Sequence, residues 1–93
     1  MSEEKVIERV VVPEDVAFRE VGGEAVILNL ETEHYFTLDA VGTRMWKLLD
    51  EHGELAKVVE LLLVEYEVER EVVERDLAGL VGELVGEGLL LRG

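Results

Sequence analysis

Few side chains in this sequence could drive a reaction, and those few are poorly spaced for one. His34 and His52 lie eighteen residues apart, and neither has a second ligand three or four residues away on a helical stretch. A zinc-type site therefore has no motif to rest on. Both histidines read as element-end residues. Ser2 sits in the terminal stretch, away from any base, and the absence of cysteine removes thiol nucleophiles, thiolate metal sites and disulfides. No glycine-rich phosphate loop is present: Gly22-Gly23 marks a turn, and Gly79, Gly82, Gly86 and Gly88 lie in or just after a helical run. Glu65, Glu67, Glu69, Glu71 and Glu74 form an acidic run. It reads as solvated surface and helix N-terminal charge, with steering of a cationic partner as the sharper alternative. No catalytic set and no cofactor cradle assemble from this inventory. The expectation is a binding protein rather than an enzyme, with no cofactor.

Two features could bind. The stretch "HYFTL", His34 to Leu38, reads as the last strand of a small sheet, and it has no proline or lysine to blunt an exposed edge. Further on, Val73, Leu77, Leu80 and Leu84 form the apolar stripe of a helix, with Ala78, Val81 and Val85 widening it and Gly79 and Gly82 bare beside it. Two glycines inside a helix cost about 1 kcal/mol each relative to alanine. Close backbone packing explains them, and so does a shallow groove. An open strand edge beside such a helix is what strand addition by a peptide requires.

The elements that place these residues follow from periodicity. Ninety-three residues, 48% hydrophobic and 33% charged, make one small domain. Residues 1–15 read as an N-terminal arm or an extra strand, since Pro13 keeps Val12 extended; residues 16–93 form the domain. "VAFREV", a Gly22-Gly23 turn, "EAVILNL", a polar "ETEH" turn and "HYFTL" predict a three-stranded antiparallel meander. Asp39 offers an N-cap, after which Val41, Met45, Leu48 and Leu49 share a helical face with Trp46 beside it. That helix stops near His52-Gly53. A second carries Leu55, Val58, Val59, Leu62 and Tyr66. Continuing it would bury Glu69 and Arg70, so a break at residues 67–69 fits better than one long helix. A third helix runs to Gly86–Gly88, followed by a short apolar tail. The fold class is α+β, a three-stranded antiparallel sheet followed by three helices.

Charge narrows the partners. Nine basic residues against 22 acidic ones give a net charge of −13, and no three basic residues cluster. Phosphate backbones and anionic membranes are repelled by such a field. No apolar run could span a bilayer, and the first fifteen residues lack signal-peptide order. The expectation is a cytoplasmic protein with no nucleic-acid or membrane partner.

The order of motifs resembles the PqqD-like proteins, the RiPP recognition elements, and within them the stand-alone B1 type of lasso-peptide biosynthesis. The resemblance runs over residues 16–91 and rests on Tyr35, Phe36, Leu38, Gly42, Trp46, Gly53, Tyr66, Val68, Val73, Asp76, Leu77, Gly88, Leu89 and Leu90. It implies a winged helix-turn-helix whose N-terminal sheet and third helix hold the leader of a ribosomally made precursor peptide. The leader would lie as an added strand, and the protein would present it to a leader peptidase or another maturation enzyme. Carried over residue by residue, the resemblance places backbone contacts at His34, Tyr35, Phe36 and Thr37. The helix wall falls at Val73, Asp76, Leu77, Leu80, Val81 and Leu84. A winged-helix nucleic-acid binder and a purely structural subunit are the competing readings.

Overall fold

The computed structural model describes residues 8–93. Its central sheet is a meander of β2 (Val16–Val21), β3 (Glu24–Asn29) and β4 (Tyr35–Leu38), with β3 in the middle. Gly22 and Gly23 join the first two strands with φ of 61° and 86°, the double positive φ that matches strand twist in a two-residue hairpin. Register pairs Ile27 with both Phe18 and Phe36, so these three side chains share the face turned toward the helices. Three helices follow: α1 (Ala40–His52), α2 (Leu55–Glu65) and α3 (Arg70–Gly86). The α+β class and the strand-then-helix order are those expected from periodicity.

Local chemistry sets the boundaries. Asp39 caps α1 through its side chain, which accepts a hydrogen bond from the Gly42 amide at 2.8 Å. Gly53 ends the helix in the left-handed region at φ 75°, where a Cβ would be strained. Between α2 and α3 the chain is extended at Tyr66 and Glu69, and Val68 is exposed, which places the break where buried charge would otherwise have fallen.

The core lies between the inner sheet face and the helices. Ala25, Ile27 and Leu38 from the sheet meet Met45, Trp46, Leu48 and Leu49 of α1, with α2 supplying Val58 and Leu62 behind them. Two expectations need correction. Val41 is 44% exposed and stands outside the α1 stripe, where buried Thr43 joins Met45 and Trp46 instead. The stripe of α3 is Val73, Leu77, Val81 and Leu84, not Leu80. At 100° per residue these four span about 80°, against about 60° for the set with Leu80 in place of Val81, so helical angle does not choose between them and the packing does. Trp46 stacks on Phe18 of β2, with ring centroids 6.2 Å apart, so it joins the first strand of the meander to α1.

The described part of the N-terminal stretch forms a strand that is tied into the domain. Strand β1 (Val10–Val11) pairs antiparallel with β5 (Leu91–Arg92), and buried Val10 donates its amide to the Gly53 carbonyl at 2.8 Å. Residues 1–7, the rest of the expected arm, lie outside the described residues.

One ion pair ties α1 to the end of α2. The Arg44 guanidinium donates from Nε and Nη2 to both carboxylate oxygens of Glu65, and this hydrogen bonding holds the Glu65 carboxyl below its ordinary pKa. A depressed carboxylate contributes stability that is present above its unfolded value and lost as pH falls through the folded one. Arg44→Ala is therefore expected to lower stability at pH 7 by about 0.5 kcal/mol, discounted for solvent exposure. In urea titrations the deficit should start to shrink as pH falls below about 4 and vanish once pH lies below the depressed value of the folded carboxyl. A deficit that persists in acid would mean that Arg44 acts through packing.

Candidate functional site

Strand β4 forms one edge of the sheet. The Asn29 amide donates to the His34 carbonyl at 2.8 Å, which fixes the phase of the ladder with β3. Antiparallel alternation then directs the backbone groups of Phe36 and Leu38 toward β3 and those of Tyr35 and Thr37 outward. Two amides and two carbonyls thus line the open edge. Side chains divide the other way: Leu38 is buried and Phe36 half-buried toward the helices, while Tyr35 and Thr37 are exposed on the outer face. His34 stands just before the strand, not in it, with Nδ1 3.6 Å from Glu87 Oε1.

Both ends of this edge are pinned. At the turn before β4, Asn29 is 7% exposed and its Oδ1 accepts from the amides of Glu31 and Thr32 at 2.9 and 3.0 Å. Its Nδ2 donates to the Gly88 carbonyl at 3.0 Å, which clamps that turn to the C-terminal end of α3. Asn29→Ala leaves a part-buried carbonyl and two amides without these partners, and is expected to cost about 1–3 kcal/mol of stability. Thermal unfolding followed by circular dichroism measures it, and an unchanged midpoint would show the clamp to be dispensable. At the far end, capping by Asp39 turns the chain into α1. A cavity of about 440 Å³ lies there, lined by Phe36, Thr37, Leu38, Asp39, Gly42, Leu80 and, from β3, Glu24.

The helix wall differs from the one expected. Val73, Leu77, Val81 and Leu84 are 5%, 1%, 1% and 0% exposed, because the core claims the face they share. These four side chains support α3 from within and do not face the cleft. Leu80, half-buried, lines the cavity. By helical angle Asp76, Glu83 and Glu87 fall on the same flank as Leu80, within about 60° of one another. All three are exposed. Gly79 and Gly82 point away from the core, and a Cβ built on either meets nothing within 4 Å, so close packing does not explain them.

The outer face of the sheet was not anticipated. Val21, Val26 and Tyr35 are 72%, 41% and 67% exposed there. Arg19, Val21, Glu24, Val26 and Thr37 surround a further hollow of about 270 Å³. The available signal was the apolar run in β3, where Val26 and Leu28 alternate with the buried Ala25 and Ile27. Such a strand is apolar on both faces, as in sheets covered on both sides. Among the described residues no cluster of three or more His, Cys, Asp or Glu could hold a metal ion. Nor is any helix there long and apolar enough to cross a membrane.

Residues 24–90 match the family described as coenzyme PQQ synthesis protein D (PqqD). No curated protein matches the chain. Among solved structures the chain is similar to TbiB1 in complex with the TbiA(beta) leader peptide. That match has 39% identity and a TM-score of 0.80, over 85% of this chain and 92% of the other. It is similar also to lasso peptide synthetase B1 complexed with the leader peptide. Here identity is 28% and the TM-score 0.79, over 89% of this chain and 98% of the other.

Proposed function

The chain belongs to the PqqD family, and from that premise we propose that it binds the leader of a ribosomally synthesised precursor peptide, as a RiPP recognition element of the lasso-peptide B1 kind. The leader pairs as an added strand with β4, in the cleft beside α3, and the bound precursor is presented to a leader peptidase or another maturation enzyme. The observation that carries this reading is the uncapped edge of β4. There the backbone groups of Tyr35 and Thr37 point outward, next to a cavity walled by Leu80. Backbone pairing supplies general affinity, and alternate leader side chains enter the cleft. His34 and Glu87 stand at one end of the rail, and Asp39 at the other.

Presentation requires a second surface. The exposed apolar outer face of the sheet, with Val21, Val26 and Tyr35, adjoins the added strand and suits that enzyme. The protein itself acts as an adaptor and not as a catalyst. Its acidic charge argues against the nucleic-acid reading, since phosphate binding draws on clustered lysine and arginine.

One titration tests the proposal. Fluorescently labelled leader peptides from lasso and pyrroloquinoline-quinone precursors are added to the protein and followed by anisotropy. At least one is expected to bind more tightly than about 100 μM, equivalent to roughly 5.5 kcal/mol. Failure of every leader, or equal binding to DNA in a low-salt gel shift, would overturn the reading.

A further inference from the structure

We propose that the cleft selects leaders that carry lysine or arginine on the side chains facing α3, a specificity that rests on the leader-binding reading above. Charge on the α3 side of the open strand edge is one-sided, while Arg19 stands on the outer face, across the sheet from it. Asp76, Glu83 and Glu87 share the flank of Leu80, and Glu24 and Asp39 border the cavity, which no lysine or arginine lines.

Most of the protein's cations are engaged elsewhere. Arg44 pairs with Glu65, Arg70 with Glu60 and Glu74, Lys47 with Glu20, Arg9 with Glu54 and Arg92 with Glu8. Near the cleft, exposed Arg75 lies 3.9 Å from Asp76, and His34 lies 3.6 Å from Glu87. Among the described residues Glu24, Asp39 and Glu83 make no ion pair with a cation. Asp39 Oδ1 accepts the Gly42 amide, which leaves Oδ2 for a ligand.

An added strand directs every second side chain toward α3. A lysine or arginine there can lay its aliphatic stem along Leu80 and Phe36 while its charged end reaches the surrounding carboxylates. A glutamate at the same position meets like charges and the field of a chain with net charge −13. Backbone pairing alone accepts many extended peptides, so this charge contrast supplies discrimination that the strand edge lacks. The occupant is thus a leader segment with cationic residues at alternate positions.

The probe is the TbiA(beta) leader peptide, scanned residue by residue with lysine and with glutamate against the wild-type protein. At alternate positions of the bound segment, lysine is expected to bind at least about tenfold more tightly than glutamate at about 50 mM NaCl. The preference should shrink to less than about threefold at about 500 mM, as salt screens the carboxylates. It should shrink likewise in the triple variant Glu24→Gln, Asp39→Asn, Glu83→Gln, in which asparagine retains the helix cap. Equal binding of lysine and glutamate at every position overturns charge selection while leaving leader binding intact. So does a preference indifferent to both salt and the triple variant. Failure of the TbiA(beta) leader together with every other leader in the anisotropy titration overturns the leader-binding reading, and charge selection falls with it.

Discussion

Replacing Thr37 by proline is expected to weaken leader binding by about 5- to 150-fold, equivalent to roughly 1–3 kcal/mol. The Thr37 amide lies in the outward phase of the β4 ladder, fixed by the Asn29–His34 bond, so proline removes a donor aimed at the added strand. Its ring also occupies space beside that edge. Pairing with β3 runs through Phe36 and Leu38 and is left in place. Proline is tolerated on an edge when its missing amide faces away from the sheet. A moderate drop in the unfolding midpoint is therefore compatible with the account, provided circular dichroism reports a folded protein. Phe36→Pro is the contrasting variant, because it removes an amide directed into the sheet and should damage the fold itself. Unchanged leader affinity in folded Thr37→Pro would place the peptide elsewhere on the surface.

The largest expected loss of stability follows from Trp46→Ala. Trp46 is 2% exposed and stacks on Phe18, joining β2 to α1. Truncating a buried tryptophan costs about 3–5 kcal/mol through lost transfer energy and the cavity left behind. A single domain of this size has total stability near the lower end of about 5–15 kcal/mol, so the variant sits close to unfolding. The midpoint followed by far-ultraviolet circular dichroism should fall by about 15 °C or more. Trp46→Phe retains an aromatic ring against Phe18 and should lose much less. A shift below about 4 °C for the alanine variant would mean that the ring does not hold the sheet to the helices.

The legible parts of the fold are those with local signals. Strand periodicity, the paired glycines at 22 and 23, the Asp39 cap and the Gly53 stop each act over a few residues, and each appears where its chemistry puts it. The break before α3 was legible for a related reason: a continuous helix would have buried Glu69 and Arg70. The phase of α3 was not legible, because Val73, Leu77, Leu80, Val81, Leu84 and Val85 are all apolar and periodicity alone cannot rank them. The packing decides, giving Val81 to the core and Leu80 to the cleft.

Long-range features escaped sequence reading altogether. Val10 is buried by pairing with a strand more than eighty residues away, and the Asn29–Gly88 clamp spans 59 positions. No local pattern announces either. In the candidate site the segment from His34 to Thr37 was legible as an unblunted edge. Which of its amides face outward depended on the register with β3. The outer sheet face stayed hidden because the apolar run of β3 marks a strand without saying which of its two faces the helices cover.

The central claim is that the leader adds as a strand to β4, and amide hydrogen exchange reads it residue by residue. In the free protein the amides of Tyr35 and Thr37 should exchange quickly and those of Phe36 and Leu38 slowly, as the alternation of the ladder requires. Saturation with a binding leader peptide should slow exchange at Tyr35 and Thr37 and leave the ordering of the other two intact. A leader that binds while both outward amides keep their free exchange rates would contradict strand addition at this edge.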